Sequence, residues 1–227
     1  MFYFDPTYLL VLPGLFLGIW AQAKIKSAYQ QYRRIGTRLG QPASAVVADL
    51  LRRNGNHAVK IRETSGELTD HYDPRTETLR LSSGVYGSSS IAALGIAAHE
   101  AGHAMQRMED YAPLKLRTAI VPAVNIGSNL AMPLFFLGLL FSWEPLLTLG
   151  IVAFGLSVVF SLVTLPVEFD ASRRAVRMLQ DGGYVTGEEL TGVQKVLQAA
   201  ALTYVAAAVT SMLSLLRLLI LARNRRD

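Results

Sequence analysis

Residues 95–105 read GIAAHEAGHAM and contain the pattern H-E-x-x-H. Residues four apart share one face of an α-helix. A helix here therefore turns His99 and His103 toward a single point, where two imidazole nitrogens can approach a zinc ion to about 2.0–2.1 Å. Glu100 falls one residue on, to the side of that point, where it can take a proton from a water activated by the metal. The small residues Ala97, Ala98, Ala101, Gly102 and Ala104 predict a helix that packs closely and leaves room over the metal. The serines of GVYGSSS read as a loop able to cap that helix, which is expected over Ile91–Met108.

A catalytic zinc takes three protein ligands and keeps one position for water. The longer pattern H-E-x-x-H-x-x-G-x-x-H would need a third histidine at position 109, which is Glu109. A carboxylate from a later helix is the other standard solution, and Glu168 in LPVEFDASRRAV is the leading candidate. Asp170 is its rival. His57 and His71 are further options, although both lie in loop-like polar sequence. Glu168 also has a plainer reading, as an acid favoured at a helix start by the helix dipole.

Outward from the motif the chain turns apolar. Of its 227 residues 51% are hydrophobic and only 17% charged, and the mean hydropathy is positive, which favours an integral membrane protein over a soluble enzyme. There is no cysteine, which excludes disulfides, thiolate zinc sites and cysteine nucleophiles. The net charge of +5 comes without an aromatic-interleaved basic run, so nucleic acid is not an expected partner. Residues 7–23 (TYLLVLPGLFLGIWAQA) are long enough to cross a hydrocarbon core of about 30 Å. No basic residue precedes them and Lys24 and Lys26 follow, the reverse of a secretory signal, so an uncleaved anchor starting outside is expected. Residues 24–117 form a polar segment with amphipathic helices in SAYQQYRRIGTRLG and PASAVVADLLRRNG, then strands in HAVKIRET and TETLRLS. Residues 118–166 read as a transmembrane hairpin with spans at 119–141 and 146–165, broken at SWEP. Residues 167–201 read as a polar helical segment starting at Glu168, and 202–222 as a last apolar segment.

The 24–117 segment holds 14 of the 22 Lys and Arg, whereas the 142–145 loop holds none. The positive-inside rule therefore puts both polar segments on the cytoplasmic side. Arg223, Arg225 and Arg226 resist this pattern: either the last segment crosses and carries them outside, or it is re-entrant or interfacial.

AAHEAGHAMQ together with LPVEFDASRRAV resembles the YugP-like bacterial membrane zinc metallopeptidases, which are in turn similar to the HtpX/Ste24-type membrane proteases. The resemblance runs over nearly the whole chain. It implies a mainly α-helical polytopic protein of the bacterial cell membrane, with a gluzincin-like zinc-peptidase domain containing a small β-sheet. It implies one Zn2+ per chain held by His99, His103 and Glu168, and Glu100 as general base in hydrolysis of protein or peptide substrates, membrane proteins among them. One departure stands out: the second motif of the HtpX pattern, E-F-x-A-D, ends in an aspartate where this chain has Ser172, so a group that would orient a ligand histidine is either replaced by Asp170 or missing. Arg173, Arg174 and Arg177 are candidates to stabilise an oxyanion, or are simply topology charges. The strand TETLRLS is expected to offer an edge to an extended substrate. The competing class is a non-enzymatic metal-binding scaffold or chaperone-like membrane protein, for which an acid beside the ligands has no use; a transporter would need ionisable residues inside the spans.

Overall fold

The computed structural model describes residues 6–224, so Arg225 and Arg226 lie outside it. A 3-10 turn over Pro6–Leu10 leads into α1 (Leu12–Tyr32), followed by α2 (Ala43–Arg53), β1 (Lys60–Thr64), β2 (His71–Asp73), β3 (Thr78–Ser82), α3 (Ser83–Tyr86), α4 (Ile91–Met108), α5 (Ala112–Leu140), α6 (Glu144–Asp181) and α7 (Glu188–Arg223). Among the described residues four stretches are long and apolar enough to cross a membrane: Pro6–Tyr32, Ala112–Leu140, Glu144–Asp181 and Glu188–Arg223.

Several elements differ from expectation. The helix expected to reach Gly40 is instead the end of α1 and stops at Tyr32. The next residues trade helical bonds for pairing with the segment before α4: Thr37 N–H donates to Ser89 O and Ile91 N–H to Ile35 O. GVYGSSS is not all loop, because Ser83–Tyr86 makes one helical turn. His71 belongs to a third strand rather than a loop. Glu168 does not start a helix. It lies deep inside α6, which continues through Pro166. Proline removes one backbone donor but does not by itself end a long helix whose neighbours hold it. The helix-start reading of Glu168 therefore loses its premise.

The chain divides into two compact units. Of the described residues, the first comprises 6–22, 115–165 and 203–224. Its helices approach closely at glycines: a Cβ on Gly138 would lie 2.5 Å from Leu147 N, and one on Gly150 would lie 2.6 Å from Phe135 N. These contacts make α5 and α6 an antiparallel hairpin turning at 141–143. Gly14 meets Thr210, and Arg217 donates to Thr7 Oγ1 at 3.1 Å and sits over the Tyr8 ring, so α1 and α7 also run antiparallel. Leu218 packs with Phe135 and Leu147, near the hairpin turn.

The second unit comprises residues 23–114 and 166–202. Its sheet has the order β1-β3-β2, with β1 parallel and β2 antiparallel to β3. Asp73 accepts from Arg75 N–H and from Thr76 Oγ1, which closes the β2–β3 turn. TETLRLS is thus the central strand, and the expectation that it offers a free edge is wrong: both its sides are paired. Its neighbours β1 and β2 are the two edge strands of this sheet. Leu79 and Leu81 of β3 are buried with Val46 and Leu50 of α2, Ala97 and Ala101 of α4, Leu179 of α6, and Val193 and Val196 of α7.

Candidate metal centre

Ser90 caps α4, its side chain accepting from Ala93 N–H at 3.2 Å, so the motif helix begins where the serine run predicts. Along it Ala97, Ala98, Ala101, Gly102 and Ala104 are buried. They let neighbouring elements approach closely, as those small residues predict. The tightest contact is at Gly102, where a Cβ would stand 2.5 Å from Ala171 O of α6. Only a glycine allows that backbone-to-backbone approach. It carries Glu168, one turn before Ala171, up to the histidines.

The three side chains meet there. Glu168 Oε2 lies 3.2 Å from His99 Nε2 and 3.6 Å from His103 Nε2. One ligand atom from each of the three lies within 4.8 Å of the others. Glu168 is only 3% exposed, and the histidine side chains are 13% exposed. Burial works against protonated His103, but its hydrogen bonds to Glu168 and Gln106 and the field of Glu100 outweigh that, and its pKa lies above the ordinary value. The cluster thus favours positive charge between the imidazoles and the carboxylate. Two imidazoles and one carboxylate form the donor set of a catalytic zinc, and these residues fit that ion.

Each histidine has a partner at its far nitrogen. Ser172 Oγ is 3.1 Å from His99 Nδ1. Ser172 lies four residues after Glu168, on the same face of α6. The position that departs from the resembled pattern is therefore filled by the serine itself, and not by Asp170. His103 Nδ1 is 3.0 Å from Gln106 Oε1. Asp170 instead accepts from Gln106 Nε2 at 3.0 Å and from Arg174 Nε at 2.6 Å. Arg174 also donates to Glu109 Oε2. Arg174 is engaged in these pairs, and Arg173 and Arg177 are exposed. Neither His57 nor His71 joins the cluster of three.

Glu100 is held from the sheet. Its Oε2 accepts from Tyr72 N–H of β2 at 3.0 Å. In the register that pairs Tyr72 with Leu79, this N–H points away from β3, so the open edge of β2 faces Glu100. Sequence reasoning missed Gln106, Ser172 in its contacting role, and β2. The one available signal was spacing: Gln106 is one turn after His103, and Ser172 one turn after Glu168.

A family model described as "putative neutral zinc metallopeptidase" matches residues 7–223. Over 218 residues the chain is 44% identical to a protein of Bacillus subtilis (strain 168) named "Putative membrane protease YugP", covering 96% of this chain and 97% of that protein. No solved structure matches.

Proposed function

The chain belongs to this family of neutral zinc metallopeptidases, and from that premise we propose that it is a membrane-embedded endopeptidase acting through a zinc ion held by His99, His103 and Glu168. The observation that carries the proposal is the convergence of those three donors beside a glutamate anchored by the open strand edge. A zinc ion held by these three side chains would supply Lewis acidity, lowering the pKa of bound water toward about 7 and polarising a carbonyl. Glu100 is the general base. It takes the proton of the attacking water and returns one to the leaving amine, which is why an acid that is not a ligand stands between two ligands. The outward-facing N–H of Tyr72 in β2 holds the Glu100 carboxylate in place. Ser172 and Gln106 hold the imidazoles in place so that their Nε2 atoms face Glu168.

The membrane arrangement follows the basic residues. We place the second unit on the cytoplasmic side of the bacterial cell membrane, with the 142–145 loop opposite. The antiparallel pairing of α7 with α1 supports a last segment that crosses fully, since Arg217 reaches Thr7 and Tyr8. Substrates are proteins or peptides reached at that face.

The test is Glu100→Gln in purified full-length protein. Zinc, measured by elemental analysis, stays at about one per chain, while peptide cleavage falls at least about 10²-fold. Wild-type turnover in Glu100→Gln, or a wild type that holds zinc but cleaves no peptide, refutes the peptidase reading and favours a metal-binding scaffold.

A further inference from the structure

Gln106 is fully buried, and it joins two parts of the centre. Its Nε2 donates to Val167 O at 2.8 Å and to Asp170 Oδ2 at 3.0 Å. Both partners can only accept, so the amide orientation is forced and its two N–H donors are committed. Its Oε1 is therefore the atom facing His103 Nδ1 at 3.0 Å. An acceptor there requires that Nδ1 carry the proton, which leaves Nε2, on the Glu168 side, as the nitrogen that a metal would take. Val167 immediately precedes Glu168. One side chain thus sets the tautomer of one ligand on α4 and holds the α6 backbone at the next. Asp170 is held in turn by Arg174, which Glu109 pairs, so the chain of bonds closes back on the end of α4.

We propose that Gln106 is a positioning residue for metal binding: it fixes His103 as the Nδ1–H tautomer and sets the spacing of His103 to Glu168. This rests on the zinc reading above. A bland role as a buried helix-to-helix tie would affect stability alone, whereas the tautomer role reaches zinc affinity separately from folding.

The experiment compares full-length wild type, Gln106→Met and Gln106→Glu, each stripped of metal and titrated with zinc against a chromophoric chelator, with the melting temperature of each zinc-free form recorded. Methionine keeps the volume and removes the acceptor. Zinc affinity is expected to fall about 10–100-fold, the usual range for loss of a group that orients a ligand. Glutamate keeps an acceptor toward His103 Nδ1 and loses the donors, so it lowers the zinc-free melting temperature while retaining zinc affinity better than Gln106→Met. A Gln106→Met protein that melts lower but binds zinc as wild type does overturns the inference. A wild type that binds no zinc overturns the metal reading instead. Should Gln106→Met not fold, nitrogen-15 spectra of zinc-loaded wild type decide: the chain has only four histidines, and coordination through Nδ1 of His103 overturns the proposal while Nδ1–H with Nε2 coordinated supports it.

Discussion

Leu15, Phe16, Ile19, Ile126, Phe136, Leu149 and Val152 of the first unit are exposed; Leu50, Leu79, Leu81, Leu94 and Leu179 of the second are buried. The same apolar residue types thus face opposite ways in one chain. Lipid tails are as apolar as leucine, so a spanning helix gains little by hiding its large side chains from them. It associates through close packing at small residues instead, as at Gly14, Gly138 and Gly150. The second unit has a water-type core, where large side chains go inside because their burial stabilises the fold by about 25 cal/mol per Å². Gly102 is the exception that makes the comparison useful. It is a close-contact glycine of the kind the long apolar helices use, placed in the water-type unit, where it brings a carboxylate to two histidines that together could hold a metal.

The largest expected effect tests whether the metal belongs to the second unit alone. His99→Ala combined with His103→Ala should abolish zinc binding, and Glu168→Gln should lower zinc affinity and cleavage together, both read by elemental analysis and a chelator titration. Full zinc retention in the double variant would move the metal elsewhere. Next, the two faces should be separable by labelling. Single cysteines replacing Ser65 and Ser142 should react with an impermeant maleimide from opposite sides of sealed vesicles. Reaction from the same side breaks the proposed topology.

The contrast between the glycines sharpens the comparison with a smaller effect. Gly102→Ala and Gly150→Ala both drive a Cβ into backbone, at 2.5 Å and 2.6 Å, and each should destabilise by about 1–3 kcal/mol in thermal melts. Only Gly102→Ala should also weaken zinc, because the backbone it displaces carries Glu168. Equal loss of zinc in both would mean that the centre depends on the spanning helices rather than on its own contact. The smallest effect lies at the periphery of the second unit. The hydroxyl of Tyr184 donates to Asp49, which holds that carboxyl below its ordinary pKa. A depressed pKa contributes stability at pH values above about 4 and loses it as the pH falls through the folded value. Tyr184→Phe should therefore lower the melting temperature by on the order of a degree or two at neutral pH. The difference should vanish in acid, and zinc affinity should not move.

What the amino-acid order determines by itself here is whatever depends on neighbours within a turn or two. The face shared by His99 and His103, Glu100 beside it, the serine cap, the bounds of α4 and the apolar runs long enough to span all follow from helical geometry and side-chain hydropathy. The third donor was legible as a residue type near a second motif, but its supposed place at a helix start was not, because the continuation of α6 through Pro166 is not a local property. Tertiary structure alone decided the rest. Glu168 meets His99 across 69 residues of chain because Gly102 lets two helix backbones touch. β2 becomes the open edge beside Glu100 because β1 and β2 both choose β3, and strand pairing is settled by what the rest of the core will bury. Gln106 and Ser172 are unremarkable polar residues on helices until that packing aims them at the two imidazoles. Desolvation gives them their significance: Gln106, fully buried, and Ser172, partly buried, each pair with the far nitrogen of a histidine.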